Sequence, residues 1–303
     1  MTRNDVGKGG FAGGSGMRER KTRGRRIGAA VLAAASVLGA TACGIAAAEE
    51  DSVADKEHLV IGVNKDQPGV GQRTPAGGYE GFDIDIAREV AKRLRVTGGN
   101  VTFKEVTSGT RQQMIKDGDV DLVVASYSIT PDRKAEVTFA GPYYVAHQDV
   151  LVRGDSPIRN VRDLKDRNLC KVEGSVSYQR VTKEKGVAAR LVPATGYADC
   201  LDKLTGRAVD AVSTDDLILA GLAAQAARRG GGQGGPPRIV NAPISDEGYG
   251  IGMRLGDADG CVAVNKAITG MYQDGTAQRL LHKWFAPVKL NYTTTVPQFE
   301  GCE

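Results

Sequence analysis

Histidine is scarce in this 303-residue chain. The three present, His58, His147 and His282, are scattered, which argues against a histidine-built metal site. Long apolar runs are missing too. The longest, residues 27–42, has sixteen residues against the roughly 20 that a membrane-spanning helix needs. Neither G-x-S-x-G nor H-E-x-x-H occurs, and no Cys–His pairing lies in reach by sequence, so nothing supports nucleophilic or zinc-assisted catalysis. A surplus of one charge is absent from the globular part. The formal net charge is +4, but residues 1–42 hold eight Lys/Arg and two acids, leaving 32 basic and 34 acidic residues beyond them. Such a body has no bulk attraction for phosphate, which removes the main support for nucleic-acid binding. What is there, 41% hydrophobic and 25% charged residues, is ordinary globular composition and enough for two lobes.

The N-terminus reads as an export address. Residues 18–26, RERKTRGRR, form a basic region, and residues 27–42 suit the apolar core of a signal peptide, with translation starting at Met17 as an option. Ala40-Thr41-Ala42-Cys43-Gly44 resembles a bacterial lipoprotein box, although Ala40 stands where Leu is usual. The resemblance implies that Cys43 becomes the lipid-modified N-terminus and that residues 43–56 are a flexible tether. The alternative is an ordinary secretory peptide with Cys43 incidental. Setting Cys43 aside leaves Cys170, Cys200, Cys261 and Cys302, an even number that in an exported chain suggests two disulfides. Three connectivities are possible. Sequence order favours Cys170–Cys200 and Cys261–Cys302, each closing a loop worth on the order of 3–4 kcal/mol.

From residue 58 the chain alternates strand and helix. Strand patterns at 58–64, 100–106 and 121–126 are separated by helices expected over 82–94 and 110–116, a βαβαβ series that implies a parallel sheet covered on both faces. A second series places strands at 148–153, 168–172, 190–192, 209–213 and 238–241, and helices at 176–184, 197–205 and 216–229. A strand at 249–254 and helices over 258–272 and 274–285 complete the chain. Crossings between the two series are expected near 145–150 and 242–249. The run RRGGGQGGPP, 228–237, reads as a flexible connection.

The chemistry concentrates in SYSITPDRK, residues 126–134. Thr130-Pro131-Asp132 is a helix start. Two features remain unexplained by it. Ser126-Tyr127-Ser128 places polar residues at the carboxyl end of a buried strand, where open α/β sheets bind ligands. Arg133 falls in a first helical turn, where the macrodipole disfavours a cation, but an arginine there offers a planar fork to a carboxylate.

This pattern, with EGFDIDIAREVAKRL (80–94), FAGPYY (139–144), VDAVSTDDLILAG (209–221), YGIGM (249–253) and MYQDGTAQRLLHKW (271–284), resembles the extracellular solute-binding proteins of the polar amino-acid family, the receptors of ABC importers. KDQPGVG (65–71), ASYSIT (125–130) and AHQDVLV (146–152), with the Cys170…Cys200 pair, look most like actinobacterial glutamate-binding lipoproteins. The resemblance implies an α/β, two-lobed, type II periplasmic-binding-protein-like fold. Each lobe would be a mainly parallel sheet flanked by helices, and two crossover strands would form the hinge. Lobe 1 would comprise 57–146 plus 246–303 and lobe 2 147–245. It further implies that Arg133 holds the ligand α-carboxylate, and that the Ser128 hydroxyl and the Ser126 carbonyl complete the first-lobe contacts with the ligand. Backbone N–H groups of Ser175 and Val176 would assist, Val176 standing where many relatives have Thr. Asp215, beside Thr214, would pair with the ammonium group, with helix capping as its alternative role. For a glutamate or aspartate side chain the candidates are Lys65, Gln67, Arg73 and His147, with Gln148 as the alternative suited to an amide. No cofactor or metal is implied. The implied partners are a small amino acid, an ABC permease in the cytoplasmic membrane, and the membrane itself through lipid on Cys43; a monomer on the extracytoplasmic face is expected. A sensor lipoprotein and, less so, a dehydratase on the same fold are the rival readings.

Overall fold

The computed structural model describes residues 52–302; the expected signal peptide and Cys43 lie outside them. The first strand, β1 (Leu59–Val63), leads into a small antiparallel sheet of β2 (Asp66–Gln67), β3 (Gly71–Arg73) and β4 (Tyr79–Glu80). Then come α1 (Phe82–Arg93), β5 (Val101–Glu105), α2 (Arg111–Lys116), β6 (Leu122–Ser128), α3 (Pro131–Lys134) and the long β7 (Thr138–Val152). The second series runs β8 (Asn168–Val172), α4 (Ser177–Gln179) continuing as a π-helical turn over Arg180–Glu184, β9 (Arg190–Ala194), α5 (Tyr197–Thr205), β10 (Ala211–Asp215), α6 (Asp216–Arg228) and β11 (Arg238–Ile239). The chain closes with β12 (Ser245–Met253), α7 (Ala258–Gln273) and α8 (Thr276–Phe285).

The main sheet has the order β5-β1-β6-β12-β7-β10-β8-β9, with β11 also on β7. β1 pairs in parallel with β5 and β6, and β8 in parallel with β9 and β10. Between these two parallel sets lie β7 and β12, antiparallel to each other and to their outer neighbours. The chain therefore crosses from one set to the other on two adjacent strands. Their register, His147↔Asp246 and Ala146↔Glu247, falls at the crossings read from the sequence. β7 starts ten residues before the strand expected at 148–153, because Gly141-Pro142 reads as a break. The structure accommodates that pair where the β7–β12 register shifts, between Tyr249 and Ile251.

Local chemistry explains the elements around the crossing. Phe82, Ile86 and Val90 of α1 are buried at helical spacing, while Asp85 on its outer side accepts Lys283 Nζ at 2.6 Å and Trp284 Nε1 at 2.8 Å, tying α1 to α8. Asp257 caps α7 by accepting Gly260 N at 2.9 Å, and also accepts Ser52 Oγ at 2.6 Å and Val53 N at 3.0 Å. Lys56 pairs with Asp121 at 2.5 Å. Residues 52–56, expected to belong to a flexible tether, are thus bonded to the folded body. The glycine-rich run is folded as well: Asp155 N donates to Gly234 O at 3.0 Å and Gln233 N to Thr205 O at 3.3 Å.

Both disulfides have the pairing that sequence order favours. Cys170 of β8 joins Cys200 of α5 with Cα atoms 5.8 Å apart, and Cys261 of α7 joins Cys302 at 5.6 Å. The second pins the C-terminal segment against the start of the crossing, where Glu300 N donates to Gly141 O at 2.8 Å. Replacing Cys170 and Cys200 together by Ala should lower the unfolding free energy by about 3 kcal/mol. Urea titration of the oxidised variant checks this; an unchanged midpoint and slope would contradict it.

Candidate functional site

Four chain ends converge between the two parallel sets: the carboxyl ends of β6 and β10, the start of α4 and the start of α5. At the end of β6, Ser126 takes φ 44°, uncommon for a residue with a side chain. It is held there by Asp83 in the first turn of α1, whose Oδ2 accepts Ser126 N at 2.7 Å while Oδ1 accepts the Tyr143 hydroxyl at 2.7 Å. Burial nevertheless pushes the Asp83 carboxyl up to about 7. The Ser126 hydroxyl donates to Gln67 Oε1 at 3.0 Å and accepts Asn64 Nδ2 at 3.2 Å.

Arg133 sits on α3, which is a single turn. Thr130 Oγ1 accepts its N–H at 3.3 Å and Pro131 takes the first helical position, so the expected cap is present. Four residues carry little aligned dipole, and the objection to a cation there has little force. The buried guanidinium donates to Ser128 O at 2.6 Å and to Gly174 O at 2.9 Å, reaching from one parallel set to the other. Burial, and then the neighbouring Arg111 charge, lower its pKa to about 9.

Arg111 is the residue that the sequence reading missed. It opens α2, is 2% exposed, and donates to Ala125 O at 2.7 Å and Ser126 O at 3.3 Å. Its guanidinium carbon lies 3.9 Å from the centroid of the Tyr127 ring, and that of Arg133 lies 4.9 Å from it. The Nε of Arg111 is buried without a hydrogen-bond partner. The signal that singles out Arg133, a cation in a first helical turn, applies equally to Arg111.

Opposite them, Asp215 ends β10. It occupies the N-cap position of α6, but its side chain makes no capping bond, so helix capping does not account for it. Asp216 instead accepts Leu217 N at 2.8 Å and His147 N at 3.2 Å, and is buried. Asp215 Oδ2 accepts the Tyr249 hydroxyl at 2.6 Å. Burial, then the nearby charge of Glu247, raises its carboxyl to about 7. Ser175, Ser177 and Tyr197 form the remaining wall: the Ser175 hydroxyl lies 2.9 Å from the Tyr197 hydroxyl and 3.1 Å from that of Ser177. Thr214 stands behind, 3.4 Å from the Ser177 hydroxyl.

Ser126, Ser128, Arg133, Ser175, Val176 and Asp215 line one cavity, together with Arg111. It measures about 10 Å³, room for one water at most, so an amino acid enters only if the two sides separate. The proposed side-chain readers are not gathered there. Lys65 and Arg73 both end on Glu105, at 2.9 and 2.7 Å. His147 Nδ1 lies 2.7 Å from Asp246 at the surface. Gln67 is buried behind Ser126 and outside the lining. A larger cleft of about 910 Å³ between α6 and residues 287–291 includes neither arginine nor Asp215. Among the described residues, no cluster of His, Cys, Asp and Glu could hold a metal ion, and no helix is long and apolar enough to cross a membrane.

Comparison with known proteins bears on the family and the fold. The sequence pattern of bacterial extracellular solute-binding proteins, family 3, matches residues 59–287. The chain is 36% identical over 271 residues to the glutamate-binding protein GluB of Corynebacterium glutamicum, covering 84% of this chain and 89% of that one. It is 34% identical over 235 residues to the ABC transporter glutamine-binding protein GlnH of Bacillus subtilis, covering 77% and 83%. Among solved structures, an ancestral arginine-binding protein bound to arginine superposes with a TM-score of 0.67 at 31% identity, covering 76% of this chain and 99% of that one. The two-lobed type II fold follows from these neighbours and from the two parallel sets joined by β7 and β12.

The buried carboxyls generate a pH prediction. Asp83 and Asp215 bind a proton near pH 7 when folded and near 3.8 ordinarily. Their contribution to stability is therefore full below about pH 4 and is lost as pH rises through 7. Thermal melts of the ligand-free chain between pH 4.5 and 8 should show this decline, and Asp215→Asn should flatten it. A slope in the variant as steep as in the parent would contradict the assignment.

Proposed function

This chain belongs to the bacterial extracellular solute-binding proteins, family 3, and we propose that it is the receptor component of an ABC importer, capturing L-glutamate outside the cytoplasmic membrane while held there by lipid on Cys43. The observation that carries the choice of ligand is the second buried guanidinium. Arg133 is aimed at one carboxylate and Asp215 at an ammonium group. A neutral side chain would leave Arg111 desolvated and without a counter-ion, whereas the distal carboxylate of glutamate satisfies it, with the unpartnered Nε as an available donor. The names of the GluB and GlnH relatives support the glutamate–glutamine range, and the charge of Arg111 favours the acid over the amide.

In this reading residues 57–146 with 246–303 form one lobe and 147–245 the other. They bend about the paired segments of β7 and β12, as hinged binding proteins do. The open form admits the zwitterion. The α-carboxylate displaces the Ser128 and Gly174 carbonyls from Arg133, with the Ser128 hydroxyl and the N–H groups before α4 assisting, while the ammonium group takes Asp215 and the Ser126 carbonyl. Closure removes water, so each charge is exchanged from solvent to a fixed partner. The closed form is what a permease would recognise. A signalling partner in place of a permease would use the same binding step, and uptake in a deletion strain separates the two. A dehydratase would turn over prephenate or arogenate, and no product is expected.

Calorimetry of the purified chain tests the binding claim. Micromolar affinity for glutamate, about −8 kcal/mol, should fall below detection in Arg133→Ala while the variant stays folded, since the change removes a desolvated cation and not a core contact. Asp215→Asn should cost about 2–5 kcal/mol. Arg111→Gln should lose most glutamate affinity and keep or gain glutamine affinity; an unchanged glutamate-to-glutamine ratio would contradict the role given to Arg111.

A further inference from the structure

We propose that Asp66 is a positioning residue that holds the closed receptor shut by capping a helix of the opposite lobe, setting how long the ligand stays without touching it. The proposal rests on the lobe-closure reading above. The small sheet of β2, β3 and β4 belongs with β1 and α1: Arg73 N donates to Lys65 O at 2.9 Å and Phe82 N to Gly69 O at 3.0 Å. Its leading edge, residues 66–68, meets α5 and α6 on the other side of the cleft. Gly196 occupies the N-cap position of α5 and has no side chain, so the free N–H groups of that helix lack a local acceptor. The acceptor comes from 132 residues away: Asp66 Oδ2 receives Ala198 N at 3.3 Å. The carboxylate also meets the positive end of the helix dipole.

The two glycines at this contact point to the same conclusion. Gly196 has φ 177°, extended backbone open to any residue. A methyl group there would overlap Asp66 Oδ2 and push that carboxylate off the helix end. Gly221 lies inside α6, where glycine costs about 1 kcal/mol relative to alanine. A methyl group there would overlap the Pro68 carbonyl. Neither glycine is required by its own helix: Gly221 is required by the approach of the Pro68 backbone, and Gly196 leaves room for the Asp66 carboxylate. The contact uses other residues than the Arg133–Gly174 bond and adds to it, and to the Tyr249–Asp215 and Arg180–Glu247 bonds, as a further tie between the two lobes.

Stopped-flow measurement of glutamate association and dissociation, using the full chain, tests this. Asp66→Ala should raise the dissociation rate about tenfold, leave association within twofold, and leave the glutamate-to-glutamine affinity ratio unchanged. Asp66→Asn, an equally good cap, should stay within about threefold of the parent. Gly221→Ala should likewise speed dissociation, because its methyl group would meet the Pro68 carbonyl in the closed form. Unchanged dissociation in Asp66→Ala or Gly221→Ala would overturn the proposal. So would a lowered ligand-free melting temperature in Asp66→Ala without faster release, since that would make the cap a permanent part of one rigid body. If the parent binds no amino acid, the glutamate reading fails on its own. The latch is then read by X-ray scattering of the free chain, where Asp66→Ala should be more extended than the parent and equal dimensions would overturn it.

Discussion

Two guanidinium groups and one carboxylate, buried on facing walls and unpaired with one another, are the constraint on which the rest of this structure depends. Among the described residues, Arg111, Arg133 and Asp215 enter no ion pair. Each is desolvated, and desolvating a charge without a partner costs several kcal/mol. The chain offsets part of that cost with carbonyls of Ala125, Ser128 and Gly174, the Tyr127 ring and the Tyr249 hydroxyl. These are neutral stand-ins for charge. A guest carrying two carboxylates and an ammonium group replaces them with full counter-charges, and the gain is available only when the walls meet.

The architecture serves that requirement. The arginines come from the elements that follow β5 and β6, while Asp215 comes from the end of β10 in the other parallel set. Among the described residues, only β7 and β12 connect the two sets within the sheet, and they carry Tyr143 and Tyr249, the hydroxyls that fix Asp83 and Asp215. The hydroxyl supports of the site thus stand on the two strands that cross between the sets. Glu247 on β12, held by Arg180 at 2.8 Å, adds negative potential beside Asp215. That raises the proton affinity of Asp215 and makes a ligand cation more welcome there.

Much of this was legible in the sequence, for identifiable reasons. Strands such as β1 and β8 and helices such as α1, α5 and α7 have the length and periodicity that decide an element. Arg133 stood out as a cation in a first turn beyond a strand end, and Asp215 as an acid ending a strand. The small sheet of β2, β3 and β4 escaped because strands of two or three residues have no readable period. β7 was underestimated because Gly141-Pro142 imitates a turn. Lys65 and Arg73 had the right charge and neighbourhood, but Glu105, 32–40 residues onward, takes both. Arg111 was passed over because its partners are backbone carbonyls 14–15 residues downstream, invisible to any local pattern. The contact of Asp66 with α5 spans 132 residues, beyond the reach of spacing arguments altogether.

The most direct test of the central claim is a crystal structure of the chain with L-glutamate. The account predicts one amino acid between the lobes, its α-carboxylate on Arg133, its ammonium group on Asp215 and its distal carboxylate on Arg111, with the bond from Arg133 to Gly174 replaced. Glutamate bound with the opposite polarity, or seated away from these three residues, would contradict it.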